Sequence, residues 1–282
     1  MLQTIKKLVR FFMSDDSPNI HCLFPQTADD SNALHWCNGI LGRDFPTAKD
    51  CVLDQLDHCK ATRPPAHEFL IAYFTLYLDE KAYEMGMIID RCPAKEIDEL
   101  PRDAPLISSM ASPSSQSLSP SPSLDRFQAT LGKGGKSVAA TDRVMIPKLG
   151  RRDNLKKLAT ETFGTYNTLN TLSVGSRHTS MSAPQFATLV EIAHNLAPTY
   201  DLRKHQCYWF ALIIFLVVRN RTEGKESNGD KIKQLGRWWY FAPEHTACDD
   251  ENVAKDEYEK AQIQLKVSHR YIFWYEQYIH HI

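Results

Sequence analysis

Twelve consecutive uncharged, mostly apolar residues, Cys207 to Val218 (CYWFALIIFLVV), constrain this chain more than any other stretch. The run is longer than a typical buried strand of about 5–6 residues and too short for the roughly 20 that cross a bilayer. It predicts a buried helix, entered through Ala197-Pro198 and the polar stretch Tyr200–Gln206. A cysteine then stands in the first helical turn. There the unpaired backbone N–H groups and the helix dipole favour a thiolate, the form of cysteine that attacks a carbonyl.

The remaining cysteines do not suggest a framework. Seven lie at positions 22, 37, 51, 59, 92, 207 and 248, an odd count with no CxxC pair. Neither a zinc ribbon nor a dithiol redox motif is expected. No secretory signal is read at the N-terminus, so the expected compartment is reducing, cytoplasmic or nuclear, with free thiols. Lys+Arg total 33 against 34 Asp+Glu, a balance that supplies no global field for nucleic acid. Residues 1–12 form a basic amphipathic stretch without a transmembrane core; docking onto the fold is the expectation, with weak peripheral membrane contact as the alternative.

The tract Ser108–Ser123 is almost all serine, proline and small polar residues, and offers too little apolar surface to offset the entropy of ordering. It predicts four parts: an N-terminal helical segment, 1–60; a first part of the core, 61–106; a disordered Ser/Pro/Gly linker, 107–141; and a second part of the core with an aromatic extension, 142–282. Ser112, Ser119 and Ser121 each precede proline and suit proline-directed phosphorylation, with an unmodified loop as the plain alternative.

Within 31–60 the spacing of Ala48, Cys51, Val52, Leu56 and Cys59 reads as one helical face. After Pro64-Pro65, His67–Phe74 reads as extended, and Met85–Asp90 as its antiparallel neighbour. Asp142–Pro147 and Tyr166–Val174 are read as further strands. Ser182-Ala183-Pro184-Gln185 is a helix start with a serine cap, an early proline and a capping-box glutamine; Phe186, Leu189, Val190 and Ala193 are its buried stripe. Ile232–Phe241 is expected to add an aromatic strand, Asp249–Gln264 a charged helix, and Tyr271–Tyr278 a docked terminus. Strands and helices are segregated, so the class expected is α+β, a small antiparallel sheet packed against helices.

Two motifs are set aside. Gly132–Ser137 (GKGGKS) lacks the first Walker A glycine, Thr130 standing there, and follows a Ser/Pro tract rather than a strand. The histidines near cysteines, His35 with Cys37 and His58 with Cys59, and the pair His280-His281 lack a second ligand pair at zinc spacing, so no metal or cofactor is expected. His194 is read as a satisfied flank residue of its helix, and Trp238-Trp239-Tyr240 as aromatic filling.

Cys207 and His67 remain. A thiol nucleophile needs a base within hydrogen-bond reach and a third group to orient that base. His67 opens a strand after a proline break and is the candidate base, with Asp90 at the end of the partner strand as the orienting group. Glu68 falls on the opposite face of its strand and is the poorer choice. The plain alternative is that Cys207 merely packs as a small apolar residue.

Pro-x-His67-Glu68-Phe69-Leu70, Ile88-Ile89-Asp90-Arg91 and Tyr200-Asp201-Leu202 leading to Gln206-Cys207-Tyr208-Trp209-Phe210-Ala211 resemble motifs of a group of uncharacterised fungal proteins. The resemblance spans about 60–95 and 140–220, with the Ser/Pro tract as an insertion. More remotely the layout is similar to permuted papain-like thiol hydrolases and acyltransferases, the lecithin retinol acyltransferase-like and PPPDE-type groups. In those groups too a histidine on an early strand precedes a cysteine at the start of a later helix. Gln206 stands where their motif carries asparagine, and Glu68 follows His67 where tryptophan or a small residue is common. The resemblance implies a permuted papain-like core and cysteine-dependent acyl transfer or amide or thioester hydrolysis. Cys207 would be nucleophile, His67 base and Asp90 orienter. A non-catalytic intracellular interaction module, partner unknown, is the alternative.

Overall fold

Apolar residues line both faces of three long strands, so this sheet must be covered by helices on each side. The computed structural model describes residues 29–41, 46–63, 66–78, 81–94, 138–174, 180–201, 206–234 and 250–263. Among them the strands are β1 (Asp29–Asn32), β2 (Cys51–Ala61), β3 (Glu68–Leu78), β4 (Lys81–Pro93), β5 (Val138–Ile146), β6 (Tyr166–Ser173), β7 (Thr199–Tyr200) and β8 (Lys225–Asn228). The helices are α1 (Ala33–Leu41), α2 (Arg152–Phe163), α3 (Ala183–Leu196), α4 (Cys207–Arg221) and α5, residues 250–263. The strands form one eight-stranded antiparallel sheet in the order β1-β5-β4-β3-β2-β6-β8, with β7 pairing to β5. The class is α+β, with a sheet larger than the small one expected.

The pleat sorts the core. On one face Leu70, Ala72 and Phe74 of β3 and Met87 and Ile89 of β4 meet Phe210, Ile213, Ile214 and Val217 of α4. Helices α1 and α3 extend the same cluster, and Cys207 to Ala211 and Ile213 to Val218 are all buried. A helix apolar all round is stable only when covered all round, and each such side chain contributes about 1.5–3 kcal/mol. On the other face Leu155, Ala159 and Phe163 of α2 cover Phe69, Ile71, Tyr73, Ile88 and Met145.

Several expectations hold in the structure. β3 and β4 pair antiparallel over their length, Phe69 opposite Asp90. Pro184 sits in the first turn of α3, the Ser182 N–H donates to Gln185 Oε1 at 2.8 Å, and Phe186, Leu189, Val190 and Ala193 are buried. α4 begins at Cys207, and the acidic stretch near 250 is helical, burying Ala254 and Tyr258.

Others are corrected. Cys51–Ala61, read as helical, is the strand β2. Its pairing with β3 slips between Leu53 and Gln55 at a bulge, and the residues read as one helical face are split, Cys51 and Leu56 packing on the α4 side of the sheet and Cys59 on the α2 side. The linker boundary at 141 is also too late, because Val138–Thr141 already belongs to β5, where Thr141 opposes Cys92. Helix α2 was not anticipated, although Leu155, Ala159 and Phe163 recur at four-residue steps before Gly164, which ends the helix at φ 74°. Ile232–Gln234 is a 3-10 turn rather than part of a strand. Residues 1–12, 107–137, 238–240 and 271–278 lie outside the described residues. No helix among the described residues is long and apolar enough to cross a membrane.

Candidate active site

Two neighbouring strand registers bring three charged side chains together. His67 immediately precedes β3, its carbonyl accepting the Ala61 N–H at 2.8 Å, and its ring stacks on Phe163 of α2 at 5.2 Å. Asp90 of β4 lies opposite Phe69 on one side and Arg143 of β5 on the other. The pleat puts Asp90 on the same face as His67, and His67 Nε2 meets Asp90 Oδ2 at 3.0 Å. Arg143 forks onto the same carboxylate, Nε to Oδ1 at 2.9 Å and an Nη to Oδ2 at 2.7 Å. Its other Nη lies 3.8 Å from Asp30 of β1.

The second ring nitrogen of His67, Nδ1, is buried and has no partner of ordinary hydrogen-bond geometry among the described residues. Cys207 nevertheless stands near enough to weigh on the protonation of this ring. Cys207 is the first residue of α4. The Gln206 carbonyl accepts the Phe210 N–H at 3.1 Å, so the N–H groups of Cys207 to Trp209 precede the first intrahelical bond.

Burial is the largest influence on His67 and disfavours its charge, but the Cys207 thiol and the Asp90 carboxylate override it and push the imidazole up to about 10. Burial likewise opposes ionisation of Asp90, yet Arg143 and His67 hold its carboxyl down at about 2. Burial also works against the charge of Arg143, and Asp90 more than restores it, raising the guanidinium above its ordinary value. The thiols of Cys37, Cys51 and Cys59 are each raised far above the usual range, chiefly by burial.

Of the three residues named from sequence, the structure joins His67 to Asp90 by a hydrogen bond, and Cys207, at the start of α4, acts on the protonation of the His67 ring. Two neighbours were not foreseen. Arg143 grips Asp90, and only the β4–β5 register could have revealed it. The Tyr200 phenol, fully buried, interacts with both the thiol and the backbone of Cys207; burial, then Cys207, raise it well above its ordinary value. Its signal in sequence was only its place seven residues before the cysteine.

Glu68 faces the other side of the sheet, bonding His58 Nε2 at 2.8 Å and Lys60 Nζ at 3.0 Å, with Lys60 over the Tyr208 ring at 4.6 Å. On that face Arg91 also forks onto Asp142 at 2.6 and 2.8 Å, and His194 Nδ1 reaches the same carboxylate at 2.7 Å. Arg91 packs against the rings of Trp209 and Phe210. These groups tie α3 and α4 to the sheet, and His194 is a satisfied flank residue. Among the described residues no group of three or more His, Cys, Asp or Glu is arranged to hold a metal ion.

A cavity of about 370 Å³ lies between the start of α3, the end of α4 and α5, lined by Ser180, Gln185, Arg221 and Tyr258 among others. Arg221 closes α4 while Cys207 opens it, a separation of roughly 20 Å along the axis, so this cavity does not serve the thiol. No protein family, curated protein or solved structure matches this chain.

Proposed function

We propose that this protein is a cysteine-dependent acyltransferase or amide or thioester hydrolase on a permuted papain-like core. The supporting observation is the posture of His67. Asp90 holds its Nε2, so its other ring nitrogen is the one available to the thiol at the start of α4. An imidazolium beside Cys207 favours the thiolate, which forms a bond to the substrate carbonyl carbon. The oxyanion is stabilised by backbone N–H groups of the first turn, which precede the first intrahelical bond, a contribution of about 3–4 kcal/mol where such donors have been removed elsewhere. His67 then gives its proton to the departing amine or thiol and takes one from the water or acceptor that releases the acyl group. Asp90 orients the ring throughout. All five described cysteines are free thiols, which suits the cytoplasm or nucleus.

A second reading has one observation in its favour. Cys207 exposes only 2% of its surface, the burial of a residue that packs in a non-catalytic interaction module. Limited alkylation separates the two. Under the catalytic reading, iodoacetamide at about pH 6 labels Cys207 ahead of Cys37, Cys51 and Cys59, and Cys207→Ser stops this labelling with little change in melting temperature. Under the packing reading Cys207 labels no faster than those three, and the serine hydroxyl destabilises the core by about 1–3 kcal/mol. Peptide mapping and a melting curve give both answers, and slow labelling of Cys207 would end the nucleophile assignment.

A further inference from the structure

We infer that Arg143 is a positioning residue of the Cys207 site: it holds Asp90 charged and aimed at His67, and the pH dependence of Cys207 alkylation follows from that posture. The inference rests on the thiol-site reading above and extends it by one residue. Its basis is an unbroken row of alternating charge that crosses the sheet. Asp30 of β1 lies 3.8 Å from Arg143 of β5, Arg143 grips both oxygens of Asp90 of β4, and Asp90 bonds His67, which interacts with Cys207. Asp90 and His67 are almost wholly buried, at 1% and 4% exposure, whereas the Arg143 side chain keeps 17% and Asp30 41%. The row thus runs from the surface inward and ends at the thiol.

A buried carboxylate shared by two cations is stable only while both are present. Arg143 supplies the permanent one, since a guanidinium does not lose its proton in the range where His67 titrates. Its fork also fixes the plane of the carboxylate, and that plane fixes which way the His67 ring turns. The groups facing this row are Asp90 from β4, Cys92 beside Arg143, Asp30 from β1, Cys207 from α4 and Tyr200 from β7, and α2 contributes the apolar ring of Phe163. Arg143 and His67 are therefore the cations among the groups named. Removing Arg143 leaves an excess of negative charge, which raises the proton affinity of every group that remains. Asp90 then protonates more readily and no longer aims the His67 ring, so alkylation of Cys207 needs a higher pH.

The test is the pH profile of Cys207 alkylation in Arg143→Gln, Arg143→Lys, His67→Ala and wild type, from about pH 5 to about pH 9, read by peptide mapping with circular dichroism as a check on folding. Arg143→Gln should move the profile upward by about one pH unit or more, so that labelling on its rising limb slows about tenfold. Arg143→Lys keeps the charge but cannot form the two-pronged contact, and should be displaced part-way in the same direction. If the glutamine variant does not fold, the lysine variant carries the test. A folded variant at Arg143 whose profile superimposes on wild type overturns the inference. Should His67→Ala leave Cys207 labelling unchanged, the thiol-site reading itself fails and Arg143 falls with it. Should His67→Ala abolish the reactivity while Arg143→Gln changes nothing, only the role of Arg143 is wrong.

Discussion

Asp90 concentrates the energetics of the site because one buried carboxylate satisfies two cations. Converting it to asparagine leaves His67 and Arg143 facing a neutral amide, and such uncompensated buried charge typically costs about 3–5 kcal/mol. Its pH signature is also specific. The Asp90 carboxyl is held at about 2 against an ordinary 3.8, so the folded form binds its proton more weakly than the unfolded chain does. The contribution, about 2 kcal/mol, is complete above the unfolded value and is lost as pH falls toward 2. His67 runs the other way. Raised from 6.5 to about 10, it stabilises fully below 6.5 and loses that contribution as pH climbs through 10. Melting temperature should therefore be highest between about pH 4 and about pH 6.5 and decline on both sides, and Asp90→Asn should flatten the acid limb. A variant that keeps the wild-type acid limb would show that other carboxylates control it. His67 and Asp90 were legible as candidates from a proline break and a hairpin end. Arg143 was not, because an arginine beside an aspartate in a strand says nothing about which of them faces which neighbour.

Secondary elements depend on close contacts that no local pattern displays. Gly86 of β4 lies where α2 crosses the sheet. A Cβ there would sit at 2.4 Å from Leu155 Cδ1 and at 2.8 Å from the Ala72 carbonyl oxygen of β3. The leucine can swing aside, but the strand carbonyl cannot. Gly86→Ala is thus expected to destabilise by about 1–3 kcal/mol, seen as a lower urea midpoint at unchanged slope. An unchanged midpoint would mean that α2 does not press on β4 as closely as the structure has it. β2 makes the complementary point. Its bulge near Asp54 shifts the alternation of side chains by one residue, so Leu53 and Leu56 share a face, while Cys59, read onto the same helical face as Leu56, packs on the other side of the sheet.

The described residues form a sheet between unequal layers, α1, α3 and α4 on one face and α2 on the other. The connection between β4 and β5 lies outside the described residues. Pro93 pairs with Ala140, and the Ala94 N–H donates to the Ala139 carbonyl at 2.8 Å, so the ends that the Ser/Pro tract joins are already adjacent. Replacing residues 95–137 with a turn of about four residues should leave a soluble protein whose melting temperature falls by no more than a few degrees. An insoluble product would show that the tract, or its neighbours in 95–107, contributes to the fold.

What the sequence determined by itself was local: the helix from Cys207, the capped start of α3, the strands around His67 and Asp90, and a cysteine at a helix N-terminus. Each follows from spacing, caps and breaks between residues near one another in the chain, where apolar periodicity and backbone hydrogen bonding act directly. Tertiary structure decided the rest. It made β2 a strand, extended β5 back to Val138, added α2, and placed Arg143 on Asp90 across a separation of 53 residues. Strand register and burial are nonlocal, and an arginine or aspartate acquires its electrostatic weight only when packing removes water and leaves it one partner.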